Sequence, residues 1–152
     1  MQEVENAERI ADEQFQIVKK KEEKLEKLHA KSLQMRKNRR KRFQGNRLFC
    51  LLLHKANARK AASAEDFAQV WNLLNQEKPM LNKHIEELPL NISDIERKTI
   101  ILLHLGLTKT ETAELTAHSL SAITNICNRM YEKAHGRKCT NSAEAYEWIM
   151  QL

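Results

Sequence analysis

The sequence is poor in the residues that turn a chain. Its 152 residues include only three glycines and two prolines, and aromatic residues make up 5%. These values lie far below average usage, whereas Lys, Glu, Leu and Ala, which favour helices, are abundant. The composition therefore predicts an all-α fold.

Cysteine is also scarce. The three cysteines, Cys50, Cys127 and Cys139, are far apart, and the chain contains no Cys-x-x-Cys pair. A disulfide framework or a structural zinc site is therefore not expected, and reduced thiols in a cytosol fit better. Cys50 and Cys127 lie in helical patterns, so we expect both to be small residues of the core.

Long apolar runs are missing. The longest, at residues 48–53 and 100–103, are far too short to cross a bilayer. The first residues, MQEVENAERIADEQ, lack the basic-then-apolar order of a signal peptide. We expect a soluble, cytoplasmic protein.

The motifs of common enzymes are absent as well. Six histidines are scattered, and the sequence contains no HExxH, GxSxG or glycine-rich phosphate loop. No cluster of paired carboxylates appears either. We therefore predict no enzyme, no catalytic residue, no cofactor, no metal site and no small-molecule substrate.

Positive charge is in excess and unevenly placed. The net charge is +6, and residues 1–42 hold 13 Lys and Arg against 8 Asp and Glu, a net of +5. Such a balance favours a polyanionic partner, either a nucleic acid or an anionic membrane surface.

The first of three predicted parts, residues 1–43, is a long basic helix. Apolar residues follow most of an a/d heptad track, which favours a coiled coil. They are Val4, Ala7, Ala11, Val18, Leu25, Leu28 and Met35. Gln14, Lys21 and Ser32 interrupt the track, and the part ends in MRKNRRKRF (residues 35–43), which we call the basic run.

The second part, residues 44–90, is predicted to be a small helical spacer. A helical pattern covers residues 47–62, and Ser63 is placed as the N-cap of the next helix. Pro79 then starts a short helix that extends through Leu88.

The third part, residues 91–152, is predicted to contain four helices. Ser93 and Thr108 each open a capping box, and Gly106 follows the first of these helices. The third helix is capped by Ser119 or Ser121, and the fourth by Asn141 or Ser142.

This order of helices is typical of a helix-turn-helix. A short second helix, a tight turn and a longer third helix at residues 120–134 place the third helix in the DNA major groove. Its buried stripe is predicted to be Ile123, Ile126 or Cys127, Met130 and Ala134. The predicted DNA contacts, on its opposite face and at the start of the second helix, are Thr108, Lys109, Ser121, Thr124, Asn125, Asn128, Arg129 and Lys133. Asn and Thr can read base edges, and the cations can hold phosphates, as can the free N–H groups at Thr108 and Lys109.

At these residues the sequence resembles the LuxR-type helix-turn-helix family. The matching stretch is ISDIERKTIILLHLGLTKTETAELTAHSLSAITNICNRMYEKAHG. The resemblance implies base reading by Thr124, Asn125 and Asn128, and backbone contacts by Arg129 and Lys133. The sequence departs from the family pattern in two ways. Thr112 and Thr116 lie where aliphatic residues are usual, and the outward face of the third helix lacks the lysine that is frequent in the family.

The resemblance extends to the whole chain, which is similar to the output half of bacterial regulators that join a sensor, a coiled coil, a helical spacer and this DNA-binding end. It implies a short member of that group or a fragment without its sensor. A homodimer is expected, through the N-terminal helix, the C-terminal helix or both, because paired modules double the DNA site. RNA polymerase is a further candidate partner.

Two other functions stay open. One is a sigma-factor-like promoter-binding protein, whose last domain uses a related helix-turn-helix, although residues 45–90 lack the aromatic-rich promoter-melting stretch. The other is a coiled-coil interaction protein that binds no DNA, in which the basic run is only a solvated charge run.

Overall fold

The computed structural model describes residues 2–152, and within that range the chain forms eight helices and no strand, which confirms the all-α prediction and the long N-terminal helix. The helices are α1 (Gln2–Phe43), α2 (Arg47–Asn57), α3 (Ala64–Glu77), α4 (Pro79–Glu86), α5 (Asp94–His104), α6 (Lys109–Thr116), α7 (Leu120–His135) and α8 (Ser142–Met150).

Most of these helices begin at the polar capping residues that the sequence predicts. Ser63, Ser93 and Thr108 each accept a hydrogen bond from the third helical N–H, and the acidic residue at that position bonds back to the cap. Of the two alternatives left open for each of the last helices, Ser119 caps α7 and Asn141 caps α8. These bonds satisfy backbone N–H groups that the first turn of a helix leaves without a partner, which is why the starts of helices can be predicted from the sequence.

The predicted extent of the second helix is wrong at its end. The helix stops at Asn57 rather than at Ala62, because Arg59 takes a left-handed backbone conformation with φ of +56°. The N–H of Ala62 then donates to the carbonyl of Leu115, at 2.8 Å. A contact with α6 therefore replaces the last helical turn. The short fourth helix also ends early, at Glu86.

A continuous apolar core joins all three predicted parts of the chain. It runs from Phe43 at the end of α1 to Met150 at the end of α8. At its centre lies α5, in which residues 100–103 are at most 3% exposed. Cys127 lies in this core, whereas Cys50 is exposed on α2 and the prediction for it is wrong. Its neighbours Phe49 and Leu52 take the inward positions instead.

The long helix α1 behaves differently along its length. In its first half, apolar side chains such as Val4, Phe15 and Val18 are 52–64% exposed. The second half packs on α8 and on α5, and it buries Ser32 and Phe43. One end of the predicted heptad track is therefore bare, and the other end belongs to the core.

Among residues 2–152, no helix combines the length and the apolar character that a membrane crossing requires.

Candidate nucleic-acid interface

Three residues join α6 to α7. Ala117 adopts a left-handed conformation with φ of +56°, and its N–H donates to the carbonyl of Glu114, at 3.2 Å. The next N–H, of His118, donates to the carbonyl of Ala113, at 2.9 Å. Ser119 then caps α7. A non-glycine residue in this conformation costs about 1 kcal/mol, so the surrounding packing holds this tight turn in place.

The helices α5, α6 and α7 all pack against one another. Four side chains fix the inner face of α7, each at most 3% exposed: Ile123, Cys127, Met130 and Tyr131. Of the two residues that the sequence left open, Cys127 faces inward and Ile126 is half-buried. Ala134, which was expected in this stripe, is also half-buried, and Tyr131 takes the inward place near the end of the helix.

A polar cluster fixes α8 to the end of α7. The Tyr131 hydroxyl donates to the Glu144 carboxylate, and Arg137 donates to the same carboxylate at 2.9 Å. The hydrogen bond from Tyr131 lowers the pKa of Glu144 to about 2, in spite of burial and with the help of Arg137. Arg137 is thus paired within the chain.

The outward face of α7 is open. Ser121, Asn125, Arg129 and Lys133, spaced four residues apart, are all exposed. Neither Arg129 nor Lys133 forms an ion pair with a carboxylate among residues 2–152. Thr124 lies beside this row and is half-buried. We call Ser121, Thr124, Asn125, Asn128 and Arg129 the reading face.

Asn128 occupies the border of the reading face. It is half-buried, and its side-chain oxygen is shielded from solvent without a hydrogen-bond partner. A shielded acceptor is poorly placed to meet an incoming base edge. Asn125 is therefore the more accessible of the two amides.

The start of α6 is less open than predicted. The hydroxyl of Thr108 accepts from the N–H of Glu111 at 3.0 Å, and the N–H of Thr108 donates to the carboxylate of Glu111 at 2.8 Å. Lys109 is half-buried with its ammonium 4.8 Å from the ring centre of Tyr146, and burial lowers its pKa. An intramolecular carboxylate thus lies where the sequence suggested a DNA phosphate.

Arg40, from the basic run, holds that carboxylate. Its two terminal nitrogens lie 2.5 and 3.2 Å from the carboxylate oxygens of Glu111, and one also donates to the carbonyl of Gly106 at 3.3 Å. Burial alone would raise the pKa of Glu111, but the bonds from Arg40 and Thr108 keep it below its usual value. The ion pair therefore ties α1 to α6.

The backbone of α1 packs directly against Gly106. Its φ is +98°, and a Cβ built on it would lie 2.7 Å from the backbone nitrogen of Arg40 and 3.1 Å from the carbonyl carbon of Arg39. The sequence predicts glycine here as a helix terminator, which is confirmed, but it does not show this second requirement. Only the heptad register, which puts Arg39 on the track of Leu25 and Ser32, hints that this part of α1 faces inward.

Comparison with known proteins adds no assignment, because no family model, curated protein or solved structure matches the chain. The candidate interface therefore rests on its own geometry. In residues 2–152, no group of three or more His, Cys, Asp or Glu side chains is placed to hold a metal ion.

Proposed function

We propose that the chain binds double-stranded DNA through α7 and regulates transcription in the manner of LuxR-type regulators. The observation that carries the proposal is the open outward face of α7, where short polar side chains and cations without an ion pair among residues 2–152 lie on a helix whose other side is buried in the core. A helix that enters the major groove needs this combination.

The residues divide into two roles. Asn125 and Thr124 are short and uncharged, so an amide can bond adenine twice and a threonine can contact a thymine methyl group. Arg129 and Lys133 lie further along the exposed row and suit phosphates, which provide affinity without sequence preference. Rigid support by the inner stripe fixes the angle at which these side chains meet the groove.

Pairing of two chains is part of the proposal. α8, one of the two candidate dimer surfaces, packs against α1 of its own chain. The exposed apolar row at Val4, Ala11, Phe15 and Val18 is the surface that remains bare. We therefore place the dimer contact in the first half of α1, as a coiled coil. Phe15→Glu combined with Val18→Glu should halve the mass in solution, and an unchanged mass would move the contact elsewhere.

The central experiment selects preferred sites from random duplexes and compares variants by fluorescence anisotropy. Asn125→Ala should reduce the discrimination between preferred and random duplexes by roughly 1–3 kcal/mol, because one amide readout is lost. Asn72→Ala, at an exposed asparagine on α3, is the matched control. If Asn125→Ala keeps full selectivity, α7 does not read DNA through this face.

The same assay separates the two alternative functions. A coiled-coil interaction protein would show only weak binding that disappears uniformly as salt rises. A sigma-like protein would need RNA polymerase to select a promoter, and the isolated chain would not enrich any duplex. Selective binding by the isolated chain at moderate salt contradicts both.

A further inference from the structure

A cavity of about 600 Å³ lies where α1, α4, α5 and α8 meet. This volume falls within the usual range for small-molecule sites. Its lining combines apolar side chains with several basic ones. The lining residues are Met35, Arg39, Lys78, Pro79, Met80, Leu81, His84, His104, Met150, Gln151 and Leu152.

Two cations in this lining, Arg39 and Lys78, contact uncharged groups. Arg39 donates to the carbonyl of Met150 and lies 3.1 Å from its sulfur. The ammonium of Lys78 lies 3.4 Å from Nδ1 of His104. Neither cation forms an ion pair with a carboxylate of residues 2–152. The nearby Arg42, by contrast, is paired with Glu77 at 2.8 Å.

The histidine beside Lys78 is neutral. Nε2 of His104 donates to the carbonyl of Ile149, at 2.7 Å, so the proton lies on that nitrogen and Nδ1 offers a lone pair to Lys78. Burial, followed by the charges of Arg39 and Lys78, lowers the pKa of His104 to about 3. The histidine therefore accepts a hydrogen bond from Lys78 but does not neutralise its charge.

The uncompensated charge is unfavourable for the folded chain. Lys78 is half-buried, and burial together with the charges of Arg39 and Arg42 lowers its pKa to about 8. Carbonyls at the carboxyl ends of α5 and α8 offset part of this charge. Charged groups removed from water are normally paired, and an anion bound between Arg39 and Lys78 would complete the pairing.

The remaining wall is apolar and adaptable. Met35, Leu81 and Met150 belong to the core or pack against it, whereas Met80 is 51% exposed at the rim. Methionine side chains adjust to irregular ligands because they are unbranched and polarizable. Such a wall suits a hydrocarbon body better than a fully hydrated inorganic anion.

We propose that this cavity binds a small organic anion, a carboxylate on a short aliphatic body. The carboxylate lies between Arg39 of α1 and Lys78 at the start of α4, and the aliphatic body lies along Met35, Met80 and Leu81. A bound anion joins α1 to the rest of the bundle by one additional contact. The inference stands independently of DNA binding, since none of its residues belongs to the reading face.

The test titrates the full chain with hexanoate at pH 7 and follows the heat of binding. Hexanol carries the same chain without charge, and inorganic phosphate carries charge without the chain. We expect saturable binding of hexanoate, and binding at least about tenfold weaker for both comparison compounds, because each lacks one half of the recognised chemistry. No heat from hexanoate at millimolar concentration would overturn the proposal, as would equal binding of either comparison compound.

Substitutions test whether hexanoate binds in this cavity. Lys78→Met retains most of the side-chain volume and removes the charge, and it should weaken hexanoate about tenfold. Lys83→Met, at an exposed lysine on α4, is the matched control and should bind as the parent does. Circular dichroism confirms that each variant is folded. Unchanged hexanoate binding by folded Lys78→Met would place the binding elsewhere and overturn the proposal. If Lys78→Met does not fold, Met80→Ser at the exposed rim is tested in its place. Hexanoate binding by this variant should be weaker, and unchanged binding would overturn the proposal.

Discussion

The basic run of α1 and the exposed face of α7 use their cations in opposite ways. In the basic run at the end of α1, Arg39 and Arg40 turn inward, to a helix-end carbonyl and to a carboxylate. On α7, Arg129 and Lys133 stay exposed, with no ion pair among residues 2–152. The density of positive charge along the sequence therefore does not show which cations stay exposed in the folded chain. The arginines of the basic run hold the fold together, and the sparse cations of α7 remain available to a partner.

The largest effect should come from Gly106→Ala. The new Cβ would meet the backbone of α1 at 2.7 Å, at a φ of +98° that alanine rarely adopts. Strain and overpacking together should lower the free energy of unfolding by about 3 kcal/mol or more. Urea denaturation measures the change.

A second glycine provides the control for that comparison. Gly136 also has a positive φ, of +67°, but a Cβ there would meet nothing within 4 Å. Gly136→Ala should therefore cost only the backbone strain, about 1 kcal/mol. Equal losses at both positions would mean that the contact with α1 contributes nothing.

Removal of Arg40 should have the next largest effect. Arg40→Ala leaves the buried side of Glu111 with only its backbone bond, so the free energy of unfolding should fall by about 2 kcal/mol. The neighbouring Lys41 is exposed and without an ion pair among residues 2–152, so Lys41→Ala should leave stability unchanged. If the two variants unfold alike, the basic run is only a solvated charge run.

Mild acid should destabilise the region around His104, which joins the end of α5 to α8. The pKa of His104 is lowered to about 3 in the folded chain, so only the unfolded chain binds this proton as the pH falls below about 6.5. The stability contributed by His104 is complete above that pH and is lost progressively towards pH 3. At pH 5 the loss should be about 2 kcal/mol relative to pH 7.

A substitution isolates this titration. His104→Gln should be less stable at pH 7 but should lose less between pH 7 and pH 5, measured by thermal unfolding across that range. His118→Gln, at an exposed histidine after α6, should follow the parent. Parallel curves for the parent and His104→Gln would show that His104 does not control the acid response.

The smallest effect on stability should occur on α7. Arg129→Ala removes an exposed side chain that forms no ion pair among residues 2–152, so the unfolding curve should not move. Under the proposed function, its affinity for every duplex should fall alike, and the dependence of binding on salt should lose about one charge. Arg47→Ala, at an exposed arginine on α2, is the matched control. A folding defect in Arg129→Ala would break the contrast between the two basic surfaces.

The starts of helices were predictable because the interactions that define them are local. Ser63, Ser93 and Thr108 bond to N–H groups three residues away, so the sequence contains both partners. The destination of the basic run was not predictable, because Arg40 meets Glu111 only after the whole chain has folded. The prediction that Cys50 is a core residue was wrong for a related reason, since α2 turns Phe49 and Leu52 inward and leaves the thiol exposed.

In the candidate interface, too, some features follow from the local sequence and others depend on tertiary contacts. The tight turn between α6 and α7 and the exposed row on α7 follow from spacing along the sequence, which also narrows the cap of α7 to Ser119 or Ser121. The environment of Lys109 does not, because it depends on Tyr146 of α8. Local pattern therefore outlines α7 and its exposed row, whereas tertiary contacts decide which neighbouring side chains stay exposed.

The uninterrupted length of α1 has a mechanical consequence. Its 42 residues contain no glycine or proline, and at 1.5 Å of rise per residue the helix is roughly 63 Å long. Its far end is bare, and its near end rests on Gly106 with almost no clearance. A rotation of the exposed half of α1 about the helix axis would therefore change the contacts of Arg39 and Arg40 at Gly106, because no glycine or proline between them interrupts the helix.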